Sequence, residues 1–203
     1  IVMGPFSHGG WSREAGQHYH NEIYFGDSIA TYYQKNIETA FFNHYLKENS
    51  KDRLNLPEAY MYDTGKKSWE QFASWPPKKA EKVKFYLDPS NKIGKSATTG
   101  FSEYFSDPSK PVPGSVNSAD LLGFTPRNYM TEDQRFAESR PDVASFTTDV
   151  LTEDVTLGGE IWAKMNISAT SDDTDIIVKL IDIYPEDTPE DKNKPGVIYS
   201  NYH

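Results

Sequence analysis

The feature that most constrains the fold is a series of short β-type runs between residues 133 and 185, separated by turn-forming residues. VASFTTDVL alternates loosely, TEDVTL leads into the Gly158-Gly159 break, and EIWAKMNISAT alternates apolar and polar residues over 161–169. SDDTD is predicted as a turn, and DIIVKLIDIY as a strand apolar enough for burial on most sides. Short strands with such breaks and no helical period predict a β-sandwich or jelly roll.

One other segment, GDSIATYYQKNIETAFFNHYLKEN, has a helical period. Ser28 is its predicted N-cap, with Asp27 beside it at the positive end of the helix dipole. Apolar side chains recur near i, i+3, i+4 and i+7 spacing, which predicts a stripe packed in the core. The stripe consists of Ile29, Tyr32, Tyr33, Ile37, Ala40, Phe41 and Leu46.

The remaining elements are short. PEAYMYDTG predicts a strand and a turn, KKSWEQFASWPP follows it to a Pro-Pro stop, and KVKFYLDPSNKIG predicts a further strand and turn. Residues 90–128 are rich in turn formers and are expected to wrap the surface or line a cleft. A last strand is predicted over 197–202. The charged connector 47–55 is the candidate domain boundary, and the strand-like ends suggest a piece of a longer protein.

Composition excludes several classes. The 203 residues carry a net charge of −9, which argues against a nucleic-acid partner because phosphate backbones are bound by clustered Lys and Arg. No apolar run approaches the ~18 residues of a transmembrane helix, so no membrane partner is expected. The chain has no cysteine, which excludes disulfides, thiolate metal sites and cysteine nucleophiles.

His8 is the candidate catalytic residue. It lies in GPFSHGG, on a Gly-rich loop directly after a short apolar run, and the carboxyl edge of a sheet is where α/β folds place their active-site groups. A hydrolytic triad needs such an imidazole to accept a proton from a nucleophile. The sequence contains no G-x-S-x-G elbow, and Ser7 is a poor nucleophile because adjacent side chains on an extended segment point apart. The alternative is an ordinary loop histidine.

Other candidate sites are weaker. His18 and His20, with Glu22 and Asp27 nearby, are two residues apart and share a strand face, but the pair lacks further metal ligands at a telling spacing. The acidic turn at 171–175 lacks the spacing of a calcium loop, and loop solvation is the preferred interpretation. We therefore predict neither a metal nor a cofactor. Asn166-Ile167-Ser168 is a formal glycosylation sequon.

The tryptophans raise an alternative function. Trp69 and Trp75 are six residues apart before the Pro-Pro stop. Exposed aromatic rings there would suit a stand-alone β-sandwich module that binds a carbohydrate or a peptide, whereas packing at the sandwich edge is the more common role of such residues. The strand and helix around GPFSHGG favour the enzyme, because a self-contained binding module has no use for them.

Several blocks resemble one family in collinear order. They are GPFSHGG, AFFNHYLKEN, YMYDTGKKSWEQFASWPP, YFSDPSKPVPG, NYMTEDQRFAESRPDV and LTEDVTLGGEIWAKMNISATSDDTDIIVKLIDIYPED. Together they resemble the C-terminal part of the α-amino-acid ester hydrolases and glutaryl cephalosporin acylases, which are relatives of cocaine esterase and the X-Pro dipeptidyl-peptidases. The similarity covers nearly the whole chain.

The resemblance implies a mainly β fold: a jelly-roll (galactose-binding-like) β-sandwich preceded by the C-terminal strand and helix of an α/β-hydrolase domain. Residues 1–52 would end the hydrolase domain, and residues 53–203 would form the X-Pro dipeptidyl-peptidase-type jelly roll, lacking some strands. The family motif GPW-x-H carries the histidine of a Ser-Asp-His triad, which maps onto His8. Phe6 stands where the family usually has Trp, and it keeps an apolar residue beside the histidine.

The function that the resemblance implies is that of a serine hydrolase. Its substrates would be α-amino-acid esters, β-lactam side chains or X-Pro peptides, all small-molecule esters or amides or short peptides. The family's serine, aspartate and oxyanion donors precede GPW-x-H, so the 203 residues alone are expected to be inactive. A periplasmic or secreted location is favoured, and a homo-oligomer is possible.

Overall fold

The computed structural model describes residues 1–13, 19–20, 23–47, 55–116, 131–192 and 199. Seven strands lie within these residues: β1 (Val2–Met3), β2 (Tyr19–His20), β3 (Ile23–Tyr24), β4 (Ala59–Asp63), β5 (Ser68–Phe72), β6 (Tyr86–Asp88) and β7 (Lys92–Gly94). The α-helices are α1 (Gly10–Arg13), α2 (Ile29–Tyr32), α3 (Thr39–Leu46) and α4 (Arg135–Glu138), and a π-helical segment, Tyr33–Glu38, joins α2 to α3. No helix in the described ranges has the length and apolar character to cross a membrane.

The central sheet has the strand order β1-β4-β5. β1 runs parallel to β4, with Val2 opposite Tyr60, and β4 pairs antiparallel with β5. The helical segment 29–46 lies between β1 and β4 in the chain, as a parallel pair requires. Because β1 and β4 belong to one hydrogen-bonded sheet, this sheet includes residues on both sides of the predicted boundary at 52–53, which itself stays a prediction.

The core lies between this helical segment and this sheet. Its most buried apolar side chains are Ile29, Ala30, Ile37, Ala59, Tyr60 and Met61. Of the predicted helical stripe, Ile29 and Ile37 belong to this core, because the apolar faces of the helix and the sheet need each other to exclude water.

The predicted helix is confirmed, but its predicted stripe is only partly buried. Ile29 and Ile37 are buried, whereas Phe41 and Leu46 are 44% and 72% exposed. The prediction that the stripe is buried is therefore wrong over α3, because no described element covers that part of the helix. Ser28 occupies the predicted N-cap position in a left-handed conformation, φ 54°, rather than the extended one typical of capping serines.

The strands and turns predicted from PEAYMYDTG and KVKFYLDPSNKIG are confirmed as β4 and β6 with the turns that follow them, whereas the pairing strands β5 and β7 were not predicted. β4 and β5 form a hairpin, and β6 and β7 form a second one in which Asn91 takes a φ of 65°. The Asp88 side chain accepts a hydrogen bond from the Ser90 amide at 2.7 Å, which closes that turn. Residues 55–192 as described contain four strands and a single one-turn helix, so this part is mainly β.

The strands predicted between 148 and 185 are wrong as elements of a sheet within the described chain. Residues 148–185, the extended segment, contain neither helix nor hydrogen-bonded strand. DIIVKLIDIY was expected to be buried, yet Ile177 is 84% and Leu180 is 66% exposed. A strand needs a partner for its backbone groups, and no described residue supplies one. Of the last predicted strand, 197–202, the structure describes residue 199 alone, and residues 117–128 lie outside the described residues.

Candidate active-site loop

The loop that carries His8, residues 4–11 (the His8 loop), follows the carboxyl end of β1. Gly4 starts it with a tight turn in which the Phe6 amide donates to the Gly4 carbonyl oxygen at 2.8 Å. A Cβ atom at Gly4 would lie 2.6 Å from the Phe6 ring, so the turn requires glycine. Gly9 has a φ of 74°, and the Gly10 amide donates to the Ser7 carbonyl oxygen at 2.8 Å. The loop is compact and its backbone is fixed by its glycines.

The His8 imidazole is exposed at the apex of this loop. Its ring meets the Trp11 ring edge to face, with the centroids 6.5 Å apart. No described residue forms a hydrogen bond with the His8 side chain. The ring is therefore held on one side by an aromatic neighbour, while its nitrogen atoms are accessible to a reacting group.

Phe6 anchors the loop beneath His8. Its ring packs against Trp11 at 6.3 Å, Tyr33 at 5.8 Å and Trp69 at 6.2 Å between centroids. These contacts join the loop to the helical segment and to β5. Phe6 thus fills the apolar position that the sequence assigned to it.

Ser7 points into the protein, away from His8. It is 2% exposed, and its hydroxyl has no hydrogen-bond partner among the described residues. A hydroxyl sealed from solvent cannot attack a substrate, in agreement with its assessment from sequence as a poor nucleophile.

Two side chains hold the backbone on either side of His8. His20 is 4% exposed, and its Nε2 lies 2.6 Å from the Pro5 carbonyl oxygen, to which it donates. Gln34, in the π-helical segment, donates from Nε2 to the Trp11 carbonyl oxygen at 2.5 Å. Neither contact was found from sequence, because partners 15 and 23 residues apart leave no local signal.

The structure describes part of the two residue groups that were weighed as metal ligands. His18 and Glu22 lie outside the described residues, and the His20 ring is engaged with Pro5 and packs edge-on against Phe25. The described part of the chain has no group of three or more His, Asp or Glu residues placed to hold a metal ion. The acidic turn at 171–175 is exposed.

A tyrosine–carboxylate cluster was also missed from sequence. Tyr19 and Tyr199 both donate to Oδ2 of the buried Asp191, at 2.9 and 3.1 Å. Desolvation, followed by the Asp191 hydrogen bond, raises the pKa of Tyr199 to about 12, and a hydrogen bond with Asp27 raises the pKa of Tyr24 to about 12. The cluster fastens residues 191 and 199 to the β2–β3 pair, and its tyrosines are neutral phenols at physiological pH.

The two tryptophans proposed for sugar binding pack within the chain. Tyr32 stacks on Trp69 at 6.0 Å, and Tyr62 meets it edge-on at 5.3 Å. Trp75 packs against Phe72 at 5.2 Å. Packing is therefore the role that the structure gives both rings.

Comparison with known proteins fits this arrangement. Residues 52–199 match the family model of the X-Pro dipeptidyl-peptidase C-terminal non-catalytic domain. Cocaine esterase from Rhodococcus sp. (strain MB1 Bresler) is 26% identical over 197 residues, which are 92% of this chain and 33% of that protein.

Two solved structures are also similar, each 29% identical over 75% of the chain. One is an aminopeptidase from a marine sediment archaeon, Thaumarchaeota archaeon, with a TM-score of 0.64. The other is a selenomethionine-labelled α-amino acid ester hydrolase, with a TM-score of 0.66. The chain covers 25% and 26% of these proteins and a third of cocaine esterase. Because the family match covers more than half of the chain, the protein belongs to the family that carries the X-Pro dipeptidyl-peptidase C-terminal domain, and it corresponds to the C-terminal part of these hydrolases.

Proposed function

We propose that His8 is the general base of a serine hydrolase and that the 203 residues form the C-terminal part of that enzyme. The observation that carries the proposal is the exposed His8 imidazole on a glycine-fixed loop at the carboxyl end of a parallel strand. That is the position in which α/β enzymes present catalytic groups. The hydrolase names of the similar proteins support the same class.

The proposed chemistry is acyl transfer to water. His8 accepts the proton of a serine hydroxyl while the serine oxygen attacks the substrate carbonyl carbon, and the imidazolium then protonates the leaving alcohol or amine. Water repeats the sequence on the acyl-serine and releases the acid. The serine, a carboxylate that orients His8 and the oxyanion donors come from parts of the protein beyond these 203 residues, so the 203 residues alone are inactive in this proposal.

The proposed substrates are small-molecule esters or amides of α-amino acids, β-lactam side chains, or short X-Pro peptides. An ester hydrolase, an esterase and an aminopeptidase among the similar proteins support this range. All of these substrates share an acyl carbon next to a leaving oxygen or nitrogen, which is the group that the proposed chemistry attacks.

We further propose that residues 53–203 contribute to a jelly-roll (galactose-binding-like) domain. The family match over 52–199 and the alternating apolar residues of the extended segment support this fold. The exposed side chains Val150, Ile161 and Ile177 would lie on the inner face of such a sandwich.

The test of the catalytic role is His8→Ala in the full-length protein. Ester hydrolysis should fall by at least ~10³-fold, as for removal of a triad member, with an unchanged melting temperature because the ring is exposed. His44→Ala, which removes an imidazole from α3, is the matched control and should retain activity. Near-normal hydrolysis by His8→Ala would exclude the role.

The alternative function, a carbohydrate- or peptide-binding module, rests on Trp69 and Trp75. Tyr32 and Tyr62 pack against the first ring and Phe72 against the second. No contact in the described chain favours this alternative, and a titration of tryptophan fluorescence with oligosaccharides, showing no change, would complete the case against it.

A further inference from the structure

The His8 loop is clamped symmetrically about its histidine. Two hydrogen bonds from elements distant in the chain reach the carbonyl oxygens of Pro5 and Trp11, each three residues from His8. One donor, His20, comes from β2, and the other, Gln34, comes from the helical segment. The loop is thus tied at both ends to separate elements.

Each clamp acts on a part of the loop that sets where the imidazole lies. The Pro5 carbonyl precedes the Phe6 ring, which packs against three aromatic side chains below the loop. The Trp11 carbonyl belongs to the residue whose ring meets the His8 ring edge to face. A change at either carbonyl therefore displaces a direct neighbour of the His8 side chain.

Gln34 makes its contact from an unusual place. It lies in the six-residue π-helical segment Tyr33–Glu38, and its own carbonyl oxygen accepts the Thr39 hydroxyl at 2.6 Å. A π-helical turn inside an α-helix is rare and recurs at functional sites. Here the segment carries both the amide that reaches Trp11 and the Tyr33 ring that packs on Phe6.

We infer that His20 and Gln34 are positioning residues, which hold the His8 loop so that the imidazole meets the reacting serine in productive geometry. The inference rests on the proposed role of His8 as general base. Neither residue touches the reacting atoms, and both act through backbone carbonyl groups. Proton transfer requires heavy atoms within about 2.6–3.2 Å, so small displacements of the loop lower the rate without weakening substrate binding.

The first test is Gln34→Met in the full-length protein, which keeps the side-chain length and removes the donor. The value of kcat for ester hydrolysis should fall about 10-fold while KM stays within about 2-fold, because positioning affects the transition state alone. Asn36→Met is the matched control, since Asn36 lies in the same π-helical segment and its side chain, among the described residues, donates to the Tyr32 carbonyl oxygen alone, at 3.1 Å. It should leave kcat unchanged.

The second test uses rescue at His20. His20→Phe keeps an aromatic ring and removes the donor, and it should lower kcat as Gln34→Met does. His20→Gln places an amide nitrogen near the position of Nε2, and it should restore most of the activity. A purely space-filling role would give the opposite order, with the phenylalanine variant more active.

Hydrogen exchange at the Gly10 amide provides a readout independent of turnover. This amide closes the loop on the Ser7 carbonyl oxygen, and it should exchange faster in Gln34→Met and His20→Phe than in the parent or in Asn36→Met. Gln34→Asn, which withdraws the donor by one methylene, is the substitute if either variant unfolds. Its Gly10 amide should likewise exchange faster than that of the parent.

The positioning role would be excluded if Gln34→Met and His20→Phe had the parent's kcat and the parent's hydrogen exchange at Gly10. If His8→Ala were inactive in the same assay, the proposed function would still stand. An active His8→Ala would instead overturn the proposed function. The two failures are therefore distinguishable.

Discussion

The packed region of the chain (residues 1–13, 19–20, 23–47 and 55–76) and the extended segment (148–185) both have regularly spaced apolar residues, but the first buries many of them and the second leaves them exposed. In the packed region, Ile29 is 1% exposed and Tyr60 is 7% exposed. In the extended segment, Val150 is 89% exposed and Ile161 is 69% exposed. An alternating pattern indicates which face of a strand is apolar, but that face is buried only if another part of the protein packs against it.

Replacing a tryptophan should give the largest difference in stability loss between the packed region and the extended segment. Trp69 touches the rings of Phe6, Tyr32, Tyr60 and Tyr62, so Trp69→Ala should lower the free energy of unfolding of the 203-residue chain by about 3 kcal/mol. Trp162 is 71% exposed, and Trp162→Ala should change it by no more than about 0.5 kcal/mol. Urea denaturation measures both, and equal losses would erase the distinction between the two regions.

Replacing a glycine should give a smaller difference in stability loss between the two regions. Gly26 has a φ of 123°, and a Cβ atom there would lie 2.5 Å from the Tyr62 hydroxyl oxygen, so Gly26→Ala should cost about 2 kcal/mol. Gly158 meets only the Trp75 ring, at 3.5 Å, and Gly158→Ala should be neutral within about 0.5 kcal/mol. Thermal melting of both variants checks this, and a tolerated Gly26→Ala would mean that the turn before α2 can relax.

Replacing an aspartate should give the smallest difference in stability loss between the two regions, and this difference should depend on pH. A hydrogen bond from the Lys66 amide lowers the pKa of Asp63 below its ordinary value of 3.8, aided by the Lys66 ammonium group 3.3 Å away. A depressed pKa in the folded state contributes stability above the unfolded value, and that stability is lost as the pH falls through the folded value. Asp63→Asn should therefore melt below the parent at pH 6, and the two should converge near pH ~2.

Asp149→Asn is the control from the extended segment. Its ion pair with Lys92 spans 3.2 Å, but the Asp149 side chain is 95% exposed. The substitution should therefore leave the melting temperature unchanged at pH 6. A loss at pH 6 equal to that of Asp63→Asn would show that the extended segment is as tightly held as the packed region.

The sequence predicted the elements whose signals are local. The 3.6-residue period predicted the helix that the structure has over 29–46, and β-type runs followed by turn residues predicted β4 and β6 with their turns, but not their partners β5 and β7. The Gly-rich context of His8 predicted an exposed loop after a strand, as observed. Each of these signals lies within about a dozen residues, which is the span over which a periodic pattern is informative.

The contacts that shape the candidate site escaped sequence reasoning. The bond from His20 to Pro5, the bond from Gln34 to Trp11 and the bond from Tyr19 to Asp191 join residues 15, 23 and 172 positions apart. They depend on the crossing of separate elements, which no spacing encodes. The burial predicted for the extended segment failed for the same reason, since it depends on a partner that the pattern does not specify.

The most direct test of the central claim is a crystal structure of the full-length protein with its nucleophile trapped by a fluorophosphonate ester. The account predicts a single phosphonylated serine whose Oγ lies within about 3.2 Å of Nε2 of His8, with the Pro5 and Trp11 carbonyl oxygens still bound by His20 and Gln34. A modified serine paired with a different histidine, with the His8 ring facing open solvent, would contradict it.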